Sequence, residues 1–86
     1  MSTFEEIKED LKETDGELYA KLELVGDLTE ERTGRKMSQR ELSELSGVAQ
    51  KTISRIENGV DIPSFSTLYK LAEALGYRLK IVMEKD

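Results

Sequence analysis

Residues 38–59, SQRELSELSGVAQKTISRIENG, are the stretch from which the fold of this 86-residue chain is read. They divide about Gly47 into two short segments. In the first, Leu42 and Leu45 are the apolar positions; in the second, Ile53 and Ile56. At about 100° per residue, Ile53 and Ile56 fall on one side of a helix, while Gln50, Lys51, Ser54 and Arg55 fall on the opposite arc. The spacing predicts a helix, a tight turn and a second helix, with one face packed and the other rich in hydrogen-bond donors. Ser38 followed by Glu41 fits a capping box, in which the serine accepts from the Glu41 amide and the glutamate reaches back. Gly47 supplies the backbone freedom the turn needs, and Asn58-Gly59 stops the second helix. A face of donors suits a polar, anionic partner, and DNA is the foremost candidate.

Composition narrows the alternatives. Eighty-six residues make one domain with one modest core. There is no cysteine, so neither a disulfide framework nor a thiolate metal site is available. There is no histidine, which removes the commonest general base and metal ligand. No phosphate-cradling loop, metal-ligand spacing or nucleophile–base pair appears, so an enzyme is not expected and no cofactor is called for. No apolar run approaches membrane-spanning length, and residues 2–10 are too acidic for a signal peptide, so the expected location is the cytoplasm. The net charge of −5 is unlike that of most DNA binders, but it is unevenly spread. Residues 1–31 hold 11 acids and 3 bases, whereas residues 32–86 hold 7 acids and 10 bases. Two surfaces with different partners would explain the asymmetry; a solvated acidic helix that aids solubility is the plainer explanation.

From the N-terminus, Ser2 or Thr3 can cap a short helix with Phe4, Ile7 and Leu11 on a narrow apolar stripe. So acidic a segment needs something to dock on. Thr14-Asp15-Gly16 breaks it. A longer helix is predicted from Asp15 to about Thr33, with Leu18, Leu22, Leu24, Val25 and Leu28 on a broad arc and its end near Gly34. Beyond the motif, Val60-Asp61-Ile62-Pro63 reads as a connector. Ser64 can cap a helix carrying Leu68, Leu71, Ala72 and Leu75, which Gly76 ends. In the tail, Tyr77, Leu79, Ile81 and Met83 alternate with Arg78, Lys80, Val82 and Glu84, a period of two that predicts one β-strand. Its unpaired backbone groups would be satisfied by a second copy, antiparallel about a two-fold axis, or by the chain's own N-terminal part; a frayed extension is the alternative. The expected architecture is mostly α: an acidic helical leader (1–16), a helical DNA-binding bundle (17–76) and a C-terminal strand or tail (77–86).

Ser38-Gln39, Leu42, Gly47, Gln50, Ile53-Ser54-Arg55, Glu57 and Gly59 resemble the lambda-repressor-like (XRE, Cro/C1-type) helix-turn-helix. The likeness covers about residues 18–76. Within that family, the acidic leader, PSFSTLYKLAEALG and YRLKIVME resemble antitoxins of HigA type, which neutralise a small ribonuclease toxin of the RelE superfamily and repress their own operon. The resemblance implies double-stranded operator DNA and a small basic toxin as partners, and a homodimer as the working form. It also distributes roles. Gln39 would direct its amide to a phosphate at the start of the first motif helix, beside Ser38, where a helix N-terminus favours anions in any case. Gln50 would meet base edges, for which glutamine and adenine N6/N7 are well matched. Lys51 and Arg55 share its face, with Arg55 suited to guanine O6/N7, and Thr52 would touch a phosphate or a thymine methyl. Ser64 and Ser66 would bind phosphate at the start of the next helix, or simply cap it. Arg32 and Glu57 match a structural ion pair. The leader would meet the toxin, with Phe4, Ile7, Leu11 and Tyr19 as contacts.

Two positions depart from the family pattern. Family members carry serine or threonine where this chain has Ala49, and losing that cap costs about 1 kcal/mol. They also carry glycine where Lys36 stands; here the glycine is Gly34, which leaves the turn into the motif open to rearrangement. A stand-alone phage-type regulator with no toxin partner remains the alternative.

Overall fold

A computed structural model describes residues 3–86, apart from the Phe4 side chain; the Ser2 cap therefore lies outside the described residues. Five helices follow in order: α1 (Phe4–Thr14), α2 (Gly16–Gly34), α3 (Gln39–Ser46), α4 (Gln50–Glu57) and α5 (Phe65–Ala74). Capping residues start four of them. Thr3, Asp15, Ser38 and Ser64 each accept a backbone N–H three residues on, relieving one of the unpaired donors at a helix start. The capping box is complete: Ser38 Oγ accepts from Glu41 N at 3.0 Å, and Ser38 N donates to Glu41 Oε1 at 3.1 Å. At Ala49 the cap is missing, and α4 begins with no side-chain hydrogen bond.

The turn between α2 and α3 is not rearranged around Gly34, which stays in the last turn of α2. Instead, Lys36 itself takes the left-handed conformation, at φ 57°. A side chain there is held against its steric preference by about 1 kcal/mol or more. Gly47 needs the same freedom between α3 and α4, at φ 78°.

The core gathers one stripe from each of four helices. Val25 and Leu28 come from α2, Leu42 from α3, Ile53 and Ile56 from α4, and Leu68, Leu71 and Ala72 from α5, with Val48 and Leu75 closing the ends. Helix α3 packs on α4 and α5, and α2 packs on both of the latter as well. Leu45 departs from expectation: it is 62% exposed, and Val48 is buried in its stead. About 60° separates Leu45 from Leu42 on the wheel, enough to carry it off the buried edge of so short a helix. After the Gly47 turn, Val48 points inward, its N–H received by Ser46 Oγ at 3.1 Å.

Helix α1 packs on α2 and, among the described residues, adds no side chain to this core. An ion pair of Lys8 with Glu23 joins the two, and the Lys12 ammonium sits over the Tyr19 ring. The hydrogen bond between Lys8 and Glu23 raises the lysine's pKa and lowers the glutamate's.

The predicted C-terminal strand is not there: among the described residues no β-strand forms, and residues 77–86 run as irregular chain. A strand exists only through a ladder with a neighbour, and this chain offers the tail a helix instead. Tyr77 donates its hydroxyl to Glu31 Oε1 at 2.8 Å, below the Arg35 guanidinium, and Leu79 packs against the core. Past Leu79 the alternation has nothing to bury against. Ile81, Val82 and Met83 are all exposed.

Candidate nucleic-acid interface

Helix α4 is eight residues long, about 12 Å at 1.5 Å per residue. Ile53 and Ile56 anchor it at 1% and 4% exposure. Their burial fixes the helix's rotation, and the opposite side is then set by geometry alone. Gln50, Lys51 and Arg55 are exposed, while Thr52 and Ser54 are half-buried at the margins. The donor-rich face drawn from the spacing therefore exists, with Gln50 at the first turn and Arg55 in the last.

An ionic network beneath α4 holds it to the rest of the bundle. Arg32, from the last turns of α2, donates Nε to Glu57 Oε2 and Nη2 to Glu57 Oε1, both at 2.8 Å. Its Nη1 donates to the Met37 carbonyl at 2.7 Å. Both side chains of the pair keep little exposure, 12% and 11%. The hydrogen bonds to Glu57 raise the Arg32 pKa against the opposing effect of burial. Gln39 completes the network, its Nε2 donating to Glu57 Oε1 at 2.9 Å. The expected Arg32–Glu57 pair thus has a third member. Glu57 takes one hydrogen of the Gln39 amide, and the second is directed by the first.

The outer face has a pair of its own. Arg55 donates Nε to Asp61 Oδ2 at 2.7 Å and Nη2 to Asp61 Oδ1 at 3.2 Å. Both side chains stay solvent-accessible, 46% and 43%. These hydrogen bonds raise the arginine's pKa and lower the aspartate's. In the sequence, Asp61 belongs to the Val60–Pro63 connector and by itself carries no sign of this role. The available signal was the Asn58-Gly59 stop: Gly59 adopts φ 75°, and a chain reversed there returns past the last turn of the helix it has left.

The other expected residues are divided between structure and surface. Ser38 and Ser64 act as caps, and the Ser64 hydroxyl also donates to Thr67 Oγ1 at 3.1 Å. Ser66 is exposed in the first turn of α5. In the leader, Ile7 is 49% exposed, Leu11 and Tyr19 are half-buried, and the Phe4 side chain lies outside the described residues.

A short helix clamped from below and lined outward with glutamine, lysine and arginine is the arrangement of a helix-turn-helix DNA-binding domain, and a family comparison agrees. The helix-turn-helix family model matches residues 28–82, and the chain belongs to that family, of the XRE type its sequence resembles. Among curated relatives, an "uncharacterized HTH-type transcriptional regulator" of Haemophilus influenzae is 44% identical over 59 residues, 69% of this chain and 60% of that protein. Another protein so described, y4dL of Sinorhizobium fredii, is 43% identical over 54 residues, 63% of this chain but 28% of its own length. The match thus spans less than two thirds of either relative: 60% of the first and 28% of the second. No solved structure matches it. No helix among the described residues is long and apolar enough to cross a membrane.

Proposed function

We propose that this protein is a sequence-specific transcriptional repressor that places α4 in the major groove of operator DNA. The observation that carries this is the division of α4: Ile53 and Ile56 are sealed in the core while Gln50, Lys51 and Arg55 face outward. Gln50 reads adenine, Arg55 reads guanine, Lys51 and Thr52 flank them, and Ser38 and Gln39 steady a phosphate at the start of α3. Ser64 and Ser66 meet a further phosphate at the start of α5. The repressor acts as a homodimer on a palindrome with half-sites about 34 Å apart. The exposed Val60 and Ile62 of the loop leaving α4 support a second copy as the partner. A mobility-shift titration on the DNA upstream of its own gene tests the contact scheme. Gln50→Ala should weaken binding by roughly 1–3 kcal/mol, or about 5- to 150-fold. Unchanged binding by Gln50→Ala combined with Arg55→Ala would overturn the assignment.

A second role is supported by α1, which packs on α2 and adds no side chain to the core among the described residues. As an acidic arm outside the DNA-binding bundle, it suits a small basic ribonuclease of the RelE/HigB type, making the protein the antitoxin of a toxin–antitoxin pair. Charge complementarity would chiefly speed that encounter. A chain lacking residues 1–16 should lose neutralisation of a co-encoded toxin while still binding DNA; retained neutralisation would exclude α1 as the inhibitory element. If no small basic protein is encoded alongside, the stand-alone repressor is the correct form.

A further inference from the structure

We propose that Asp61 is a positioning residue for base recognition, holding Arg55 by one edge of its guanidinium so that the other edge is presented to guanine. This rests on α4 being the recognition helix. A guanidinium has five N–H donors in a rigid plane. Asp61 takes one on Nε and one on Nη2. One hydrogen of Nη1 and the second of Nη2 then form the free terminal edge of the fork, while the other Nη1 hydrogen points back along the side chain. Guanine presents two acceptors in the major groove, O6 and N7, which need two near-parallel N–H groups from a single edge. The edge left by Asp61 is the one that supplies them.

The carboxylate is itself fixed in place. The backbone N–H groups of Val60 and Asp61 both donate to the Arg55 carbonyl, at 2.8 and 3.2 Å. The loop is therefore tied to the main chain of the residue whose side chain it orients. A long arginine side chain is thereby arranged before DNA arrives, which spares the complex part of the ordering entropy. A guanidinium carries donors only, so it meets a donor on cytosine N4 and an acceptor–donor pair on adenine and fits neither; Asp61 adds a fixed edge and direction from which guanine is met.

An aspartate near phosphates should also repel DNA of every sequence alike, so removing it has two separable effects. Selection from a randomised duplex pool, with the full-length protein and its Asp61→Ala, Asp61→Asn and Arg55→Ala variants, resolves them. With wild type, Arg55 should impose a guanine preference of about 5- to 150-fold at one position per half-site. Asp61→Ala should reduce that preference to a few-fold while binding to scrambled duplex holds or rises, and Asp61→Asn should fall between. Arg55→Ala should abolish the preference at the same position. The proposal is overturned if Asp61→Ala tightens binding to all sequences with the guanine preference intact, since Asp61 would then only withhold Arg55. It is also overturned if the altered position differs from the one Arg55→Ala alters. An Arg55→Ala variant with unchanged preferences would instead remove Arg55 from the base contacts, and a wild type that selects no sequence would remove the proposed function itself.

Discussion

Two arginine–carboxylate pairs meet at the end of α4, and they differ in what surrounds them. Glu57 and Arg55 are two residues apart, about 200° around the helix, so one points into the bundle and the other away from it. The inner pair, Arg32–Glu57, has both side chains close to nine-tenths buried and shares a third partner, Gln39. The outer pair, Arg55–Asp61, has nearly half of each side chain in solvent. Inside, a lone charge could not be rehydrated, so each member depends on the other for the fold. Outside, water replaces a lost partner, and the pair does little for stability. What it retains is direction. The same chemistry is thus architectural on one face of α4 and orienting on the other.

The contrast is broken most directly at Glu57. Glu57→Ala leaves the Arg32 guanidinium and the Gln39 amide without their carboxylate. It should destabilise the fold by roughly 3 kcal/mol, the lower end of the range for buried pairs, and lower Tm by roughly 15 °C in a domain of this size. Asp61→Asn, in the same thermal melt, should leave Tm within error of wild type. Equal losses would show that burial does not separate the pairs. Gln39→Ala removes one hydrogen bond from a carboxylate that keeps its arginine, and should cost about 1.5 kcal/mol in a denaturant titration. Lys36→Gly tests the turn that brings the Met37 carbonyl to Arg32. Relieving the left-handed lysine should stabilise by about 1 kcal/mol, read as a higher denaturation midpoint with an unchanged slope.

Acidification gives the smallest effect. Arg55 depresses the Asp61 pKa, so what their pairing contributes is present above the unfolded carboxylate pKa and is lost only as pH falls through the lower folded value. The guanine preference imposed through Arg55 should therefore be flat from about pH 8 down to about pH 5, above the ordinary aspartate range. A decline within that window, followed by fluorescence anisotropy on paired guanine and adenine sites, would contradict the orienting role.

Much of the bundle is legible residue by residue. Ser38 and Glu41 specify a helix start because the capping box spans three residues and needs nothing from elsewhere. Ile53 and Ile56 declare the buried side of α4 because helical spacing puts them on one side, and Gln50, Lys51 and Arg55 follow from that. The Arg32–Glu57 pair was legible by resemblance. Its extension to Gln39 was not, since 18 residues separate Gln39 from Glu57 and no local period joins them. Leu45 and Val48 show the same limit: both are apolar, and which one is buried depends on where α4 and α5 lie.

Propensity and spacing within a few residues set the helices, most of their caps and the polar face of α4. Tertiary structure decided what each polar group is for. Gly59 turns the chain back so that Asp61 reaches Arg55, and Lys36 accepts a left-handed backbone so that α3 can dock. The tail, although it alternates like a strand, settles Tyr77 on Glu31 and Leu79 against the core, because no strand stands beside it among the described residues. In each case the outcome depends on a partner brought from another element, which periodicity along the chain does not encode.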